Sequence, residues 1–96
     1  MKKNIKIDYQ AKLDLAQIYN YISKDSKFYA KKTIYEISKR INYLLIFPEM
    51  GKIIDTNKSA RQIIYKSYKI LYIFDSKNIY ILRIIHTSRD ISNLKF

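Results

Sequence analysis

Six basic side chains in the second half of the chain are the residues best suited to chemistry or anion binding: Arg61, Lys66, Lys69, Arg83, His86 and Arg89. Four of them, Arg61, Lys69, His86 and Arg89, form a candidate catalytic set for phosphoryl chemistry on RNA. A base takes the 2′-hydroxyl proton, a cation stabilises the charge on the phosphate, and an acid protonates the leaving oxygen. The alternative is structural, with the histidine bonded at a strand end and the cations solvated.

Composition excludes most other reaction classes. The chain has no cysteine, one histidine and one glycine. A cysteine nucleophile and disulfides are therefore excluded, as is a glycine-rich phosphate loop, and one histidine is too few for a transition-metal site. We predict no metal and no cofactor, so any nuclease activity is expected to be metal-independent.

The charge of the chain indicates an anionic partner. The formal net charge is +11, from 19 Lys and Arg against 8 Asp and Glu. Residues 61–96 carry seven of these cations and only two of the acids. Nucleic acid, a ribonucleoprotein, an acidic protein or an anionic membrane surface would suit such a surface. The other interpretation is that the charge serves solubility alone.

The elements that must position the cations form a β-meander over residues 61–74 and 79–86. Runs rich in Ile, Tyr and Phe are broken at Ser67 and at residues 75–78, a pattern typical of adjacent antiparallel strands. We expect this meander to bring the four candidate catalytic residues towards one region. The middle run is apolar on both faces, which predicts a central strand. Tyr65, Tyr68, Tyr72 and Tyr80 either stack bases or pack in the core and at its rim.

Two helices precede the meander. Ala11, Leu15, Ile18 and Ile22 recur at helical spacing, predicting a helix from about 9 to 24 with Asp8 as its N-cap. Ser26 is the predicted cap of a second helix with an apolar stripe at Ala30, Ile34, Ile37, Ile41 and Leu44 or Leu45. Phe47-Pro48 is expected to end this helix. The two helices form an antiparallel hairpin.

The remaining segments are less regular. Residues 3–7 are a candidate first strand, and residues 49–60 are interpreted as a surface loop. The tail, 87–96, contains Leu94 and Phe96, which either pack on the core or stay exposed. We predict one domain over residues 1–96 in the cytoplasm, since Asp8 interrupts any signal peptide and no apolar run approaches the ~20 residues of a membrane span.

Taken in order, the chain resembles the RelE/ParE superfamily, the toxin halves of type II toxin–antitoxin modules. The resemblance covers nearly the whole chain. It rests on the combination of Ala11, Asp14-Leu15, Ile18, Tyr21-Ile22, Ala30, Ile37, Ile41, Leu44, Pro48, Gly51, Arg61, residues 68–72, residues 79–85, His86 and Arg89-Asp90. It implies an α+β fold in which a short N-terminal strand and a helix hairpin pack on a twisted antiparallel β-meander.

The resemblance is closer to the ParE branch than to the RelE branch. RelE-like members cleave mRNA in the ribosome with basic residues on the sheet and often a tyrosine or other acid/base group near the C-terminus. In this chain Ile63 lies where the nucleases often carry a further cation, and no tyrosine follows Tyr80. The ending 85–91 also resembles that of ParE-like members, which poison DNA gyrase.

The leading prediction is therefore a gyrase-binding toxin that is not itself an enzyme. The alternative is a RelE-like, ribosome-dependent mRNA endonuclease that uses Arg61, Lys69, His86 and Arg89, with ribosome and mRNA as partners. A third interpretation is a module that has lost toxicity and only pairs with its antitoxin. In each case the resemblance implies a cognate acidic antitoxin in a hetero-oligomeric complex.

Overall fold

The computed structural model describes residues 3–90, which form two helices and one five-stranded sheet. In chain order the elements are β1 Asn4–Ile7, α1 Tyr9–Ser23, α2 Lys27–Tyr43, β2 Lys52–Asp55, β3 Ala60–Tyr65, β4 Tyr68–Phe74 and β5 Asn78–His86. The strand order is β1-β5-β4-β3-β2, with β1 parallel to β5 and the other pairs antiparallel. The predicted α+β fold class is confirmed, and the tail residues Leu94 and Phe96 lie outside the described range.

The helices form where the apolar periodicity predicts them. Ala11 and Ile18 of α1 are buried, as are Ala30, Ile37 and Ile41 of α2. The Ser26 side chain accepts a hydrogen bond of 3.2 Å from the Tyr29 N–H, so the predicted cap of α2 is confirmed. Asp8 lies at the N-cap of α1, but its side chain makes no capping hydrogen bond, so that prediction was correct in position only.

Helix α2 ends at Tyr43, four residues before the predicted stop at Phe47-Pro48. The backbone stays hydrogen-bonded beyond Tyr43, but with tighter i to i−3 bonds from Leu44, Leu45 and Ile46. Such turns are a common way to satisfy the last carbonyls of a helix. Pro48 therefore ends the hydrogen-bonded turns that follow α2, while the α-helix itself ends earlier, at Tyr43.

Strand β2 corrects the interpretation of residues 49–60 as a loop. Lys52 pairs with Gln62 and Ile53 with Arg61, and the register shifts before Asp55. The strand is short, lies at the sheet edge and leaves Ile53 half exposed. It lacks the apolar alternation of a half-buried strand, so only its pairing with β3 defines it.

Strand β4 occupies the centre of the sheet, as the apolar character of both its faces predicts. Ile70 and Tyr72 are fully buried in the core cluster that includes Ile37 and Ile41 of α2. Leu71, whose side chain alternates with theirs, is also fully buried. The helices and the sheet thus share one core, which holds the helix hairpin in a fixed position on the sheet.

Gly51 lies at a position where the core has room only for glycine. A Cβ built there would lie 2.5 Å from the Tyr72 hydroxyl oxygen and 2.8 Å from the Gln62 carbonyl oxygen. The Gly51 N–H instead donates to the Tyr72 hydroxyl at 2.9 Å, and this hydroxyl donates to the Pro48 carbonyl at 2.7 Å. Tyr72 thereby fastens the α2–β2 connection to the centre of the sheet.

Candidate functional site

A groove of about 570 Å³ lies between the helix hairpin and one end of the sheet. Its walls come from both helices, the β3–β4 turn and the end of β5, and include Tyr21, Thr33, Lys66, Tyr68, His86 and Arg89. Three of the six predicted basic residues therefore border one concave surface. Aromatic walls with a cationic rim suit an acidic ligand that also carries apolar groups.

His86 lies at the exposed end of β5, opposite Tyr68 in β4. Its ring meets the Tyr68 ring edge to face, with centroids 6.0 Å apart. The Ser88 N–H donates to His86 Nδ1 at 3.1 Å, and the Ser88 Oγ lies 2.7 Å from the same nitrogen. In the neutral ring Nδ1 is thus an acceptor, which places the proton on Nε2. The histidine is held in one orientation by its own turn.

Lys69 and Arg89 are joined to this region by the chain that follows β5. The Lys69 Nζ donates to the Arg89 carbonyl at 3.2 Å, and the Thr87 N–H donates to the Ser67 carbonyl at 2.7 Å. The chain after β5 is therefore fastened back to β4 and the β3–β4 turn. His86 and Arg89 are therefore brought together at the groove, as the sequence predicts, whereas the Lys69 side chain leaves β4 on the face opposite to Tyr68 and His86 and reaches only the Arg89 backbone.

Arg61 lies elsewhere, which corrects the expectation that the meander gathers all four candidate catalytic residues. It faces Tyr72, whereas Lys69 faces Ile64, three positions further along β3. Three residues of a strand span roughly 10 Å. The Arg61 guanidinium donates from Nη1 to the carbonyls of Glu49 and Gly51, at 3.0 and 2.8 Å. Its side chain stabilises the connection before β2.

Arg83 forms an ion pair inside the fold. Its Nε and Nη2 donate to the Asp14 carboxylate at 2.8 and 3.1 Å, and the Ile84 N–H donates to Asp14 Oδ2 at 2.9 Å. The two side chains are only 13% and 8% exposed. Hydrogen bonding to the Asp14 carboxylate raises the pKa of Arg83 above its ordinary value. The pair ties α1 to β5, and a binding role for Arg83 remains a prediction.

Asp14 is the residue that the sequence argument did not single out as a site residue. It falls on the apolar stripe of α1, three residues after Ala11 and four before Ile18. A carboxylate on a core-facing stripe requires a buried partner. The position of Asp14 on the apolar stripe was therefore the sequence signal for a buried ion pair. The identity of its partner depends on the packing of α1 on β5.

The tyrosines of the sheet differ in their exposure. Tyr72 is fully buried and Tyr65 is 7% exposed, so neither offers a ring face for base stacking. Burial raises the pKa of Tyr72. Two cations contact the Tyr65 ring, with Arg40 Cζ and Lys66 Nζ each 5.5 Å from its centroid. Core and rim packing is the correct interpretation for these two rings.

Lys66 begins the two-residue β3–β4 turn in a left-handed backbone conformation, with φ of 51°. This region favours glycine, because a Cβ crowds the backbone there. We expect Lys66→Gly to raise the free energy of unfolding by about 1 kcal/mol in urea titrations. Ser67→Gly is the matched control, since Ser67 does not have a positive φ, and it should not stabilise the fold. Equal effects of both substitutions would contradict this account of the turn.

Within residues 3–90, no group of three or more His, Asp or Glu side chains is arranged to hold a metal ion. In the same range no helix has the length and apolarity needed to cross a membrane.

The fold defines the class of this protein as a small basic α+β domain with a helix hairpin packed on a five-stranded sheet. Its structure is similar to a solved one titled "Chromosomal ParDE TA system from P. aeruginosa", with a TM-score of 0.76 and 21% sequence identity. The match covers 88% of this chain and 96% of that chain.

Residues 5–91 match the family model described as the ParE toxin of the type II toxin–antitoxin system, parDE. The chain therefore belongs to the ParE toxin family, and the predicted resemblance to the ParE branch is confirmed. Membership implies a cognate antitoxin as partner. A search of curated proteins finds no match.

Proposed function

We propose that this ParE-family toxin acts as a single domain over residues 1–96, binds DNA gyrase in the cytoplasm and stalls its DNA-cleaving cycle. The observation that carries the proposal is that two of the basic residues are engaged in contacts within the fold. Arg61 is bonded to the carbonyls of Glu49 and Gly51, and Arg83 is paired with Asp14. A ribonuclease requires a base, an acid and free cations around one phosphate.

The three remaining candidates, Lys69, His86 and Arg89, are a poor nuclease set. The Lys69 ammonium donates to a backbone carbonyl, and His86 Nδ1 accepts from Ser88. Ile63, where related nucleases often carry a cation, is buried against the core. These contacts support a surface that binds rather than one that cleaves.

The alternative, a ribosome-dependent mRNA endonuclease, is favoured by one feature. His86 is exposed, and it borders the groove together with Arg89. Its Nε2 has no hydrogen-bond partner within residues 3–90. An imidazole with one free nitrogen beside a guanidinium is the smallest arrangement that can move a proton near a phosphate.

Gyrase and a translating extract, assayed side by side with the purified toxin, separate the two functions. We expect loss of supercoiling with the wild-type chain, and a several-fold weaker effect with Arg89→Ala, because Arg89 is exposed and borders the groove. Lys12→Ala, at an exposed position of α1, is the control and should act like the wild type.

Codon-positioned cuts in translated mRNA that disappear in Arg89→Ala would establish the nuclease instead. Gyrase supercoiling left untouched at toxin concentrations that stop growth would also contradict the proposal. Expression without any growth arrest would assign the chain a role in antitoxin pairing alone.

We further propose that the antitoxin is acidic, partly disordered when free, and folds over the sheet and the helix hairpin in a hetero-oligomeric complex. Burial of apolar groups together with charge pairing can offset the entropy of ordering such a segment. The cationic rim at Lys66 and Arg89 supports an acidic partner. The association rate should accordingly fall steeply as salt is added.

A further inference from the structure

An apolar patch lies where the chain passes from the end of α2 into the edge strand β2. Its members are Ile46, Phe47, Met50 and Ile53, whose side chains are 66%, 61%, 49% and 48% exposed. The first three line one hollow of about 480 Å³. We call these four residues the β2 patch. Single exposed apolar residues are common, whereas a group of them on one surface indicates an interaction site.

Hydrogen bonds from the sheet hold the β2 patch in place. The Tyr72 hydroxyl donates to the Pro48 carbonyl and accepts from the Gly51 N–H. Arg61 Nη1 donates to the carbonyls of Glu49 and Gly51. A surface that is already ordered loses less conformational entropy when it binds a partner. The segment that carries the patch is thus preorganised, which gives Arg61 a role away from the groove.

The charge around the β2 patch differs from that of the whole chain. Residues 46–57 contain two acids, Glu49 and Asp55, against one base, Lys52, whereas the chain carries a net charge of +11. Nucleic acid and other polyanions find few cations on this segment, so they are disfavoured as partners. A fitting partner presents apolar groups together with charges of both signs. The segment itself is such a surface.

The two ends of β2 carry opposite charges. Lys52 begins the strand and Asp55 ends it, with Ile53 and Ile54 between them. Two copies of β2 placed antiparallel about a two-fold axis bring the lysine end of each strand beside the aspartate end of the other. The isoleucines then meet in the middle, and backbone groups at the edge of the sheet gain hydrogen-bond partners. The β2 edge is therefore complementary to itself.

The opposite edge of the sheet, β1, lacks this property. Lys6 lies inside β1 and is exposed, so antiparallel self-pairing of β1 brings two lysines close together, which is destabilising. Strand β2 is thus the edge that favours pairing. Its four-residue length and the irregular register between Ile53 and Asp55 limit the number of hydrogen bonds. The β2 patch must therefore supply most of the affinity.

We propose that the β2 patch and the β2 edge bind a second copy of this chain about a two-fold axis, joining the two five-stranded sheets edge to edge. Phe47 and Met50 of each copy pack against the hollow of the other, and Lys52 of each copy lies near Asp55 of the other. The groove is formed by the helix hairpin, the β3–β4 turn and the end of β5, so it stays open in this dimer. The inference does not depend on gyrase as the toxin's target.

The test is sedimentation equilibrium of the full-length toxin from about 5 to about 500 µM, the range in which surfaces of modest area associate. We expect the average mass to rise with concentration from the 11.6 kDa of one chain towards twice that value. Added salt should strengthen the dimer, because it screens the repulsion between two chains of charge +11. An average mass that stays at one chain at every concentration and salt would overturn the proposal.

Two variants, each with a matched control, connect the dimer to this surface. Phe47→Glu should weaken dimerisation at least about tenfold, because an anchoring ring is lost and like charges approach. Phe28→Glu makes the same change at an exposed ring outside the patch and should dimerise like the wild type. Lys52→Glu should weaken the dimer several-fold by placing acids at both ends of β2, and Lys12→Glu, on α1, is its control. All four residues are exposed, so thermal unfolding is expected to match the wild type and to confirm folding.

Amide resonances of the ¹⁵N-labelled toxin locate the contact. We expect the resonances of residues 46–55 to shift as the toxin concentration rises, and those of the groove to stay unchanged. Two results would overturn the proposal even if the toxin dimerises. The first is that the shifts are confined to β1 or to the helix hairpin. The second is equal dimerisation by the wild type, Phe47→Glu and Lys52→Glu.

Discussion

Replacing Asp14 by alanine is expected to lower the free energy of unfolding by about 3 kcal/mol, because it leaves the Arg83 charge largely buried without its partner. The Ile84 N–H also loses its acceptor. For a chain of this length, a loss of this size corresponds to a fall in midpoint temperature of roughly 12 to 20 °C. Urea and thermal unfolding followed by circular dichroism measure it directly.

The matched controls separate the ion pair from the loss of a side chain. Asp25→Ala removes an exposed carboxylate from the turn between the helices and should change stability by less than about 0.5 kcal/mol. Asp14→Leu combined with Arg83→Met should recover part of the loss, since no buried charge then remains. Similar stabilities for Asp14→Ala and Asp25→Ala would show that the pair contributes little.

Replacing Tyr72 by phenylalanine is expected to cost about 2 kcal/mol, although the ring stays in place. The substitution removes the acceptor of the buried Gly51 N–H and the donor to the Pro48 carbonyl. An unpaired buried backbone group costs about 1 to 3 kcal/mol. Tyr9→Phe, at a ring that is 72% exposed, is the control and should be nearly neutral in the same denaturation series.

The same hydroxyl contributes to the pH dependence of stability. Burial raises the pKa of Tyr72 above its ordinary value, so the folded chain keeps this proton at pH values where the unfolded chain has lost it. The protonated Tyr72 hydroxyl makes its full contribution to the free energy of unfolding below pH 10, and this contribution is lost as the pH rises above 10. Tyr72→Phe should therefore reduce the alkaline loss of stability, and an unchanged slope would contradict this role.

Periodicity was sufficient to predict both helices, and composition and turn residues predicted strands β3 to β5. Strand β2 was not predicted, because Lys52–Asp55 has no apolar alternation and a strand at the edge of the sheet does not require it. The end of α2 also differed from the prediction, because i to i−3 bonds take over before Pro48.

The candidate site was predictable in part, for a related reason. His86 and Arg89 meet at the groove because they lie three residues apart at the end of β5, whereas Lys69 points to the other face of the sheet. The position of Arg61 depends instead on the register of β3 on β4, which composition does not specify. The pairing of Arg83 with Asp14 joins residues 69 positions apart, so it follows only from the packed fold.

The most direct test of the central claim, that this toxin acts on gyrase, is the amount of linear DNA released from gyrase–DNA cleavage complexes. Purified gyrase and supercoiled plasmid are incubated with the toxin and then with detergent and protease. We predict that linear DNA accumulates with toxin concentration and that prior addition of the cognate antitoxin prevents this. No linear DNA above the toxin-free control, with supercoiling unaffected, would contradict the claim.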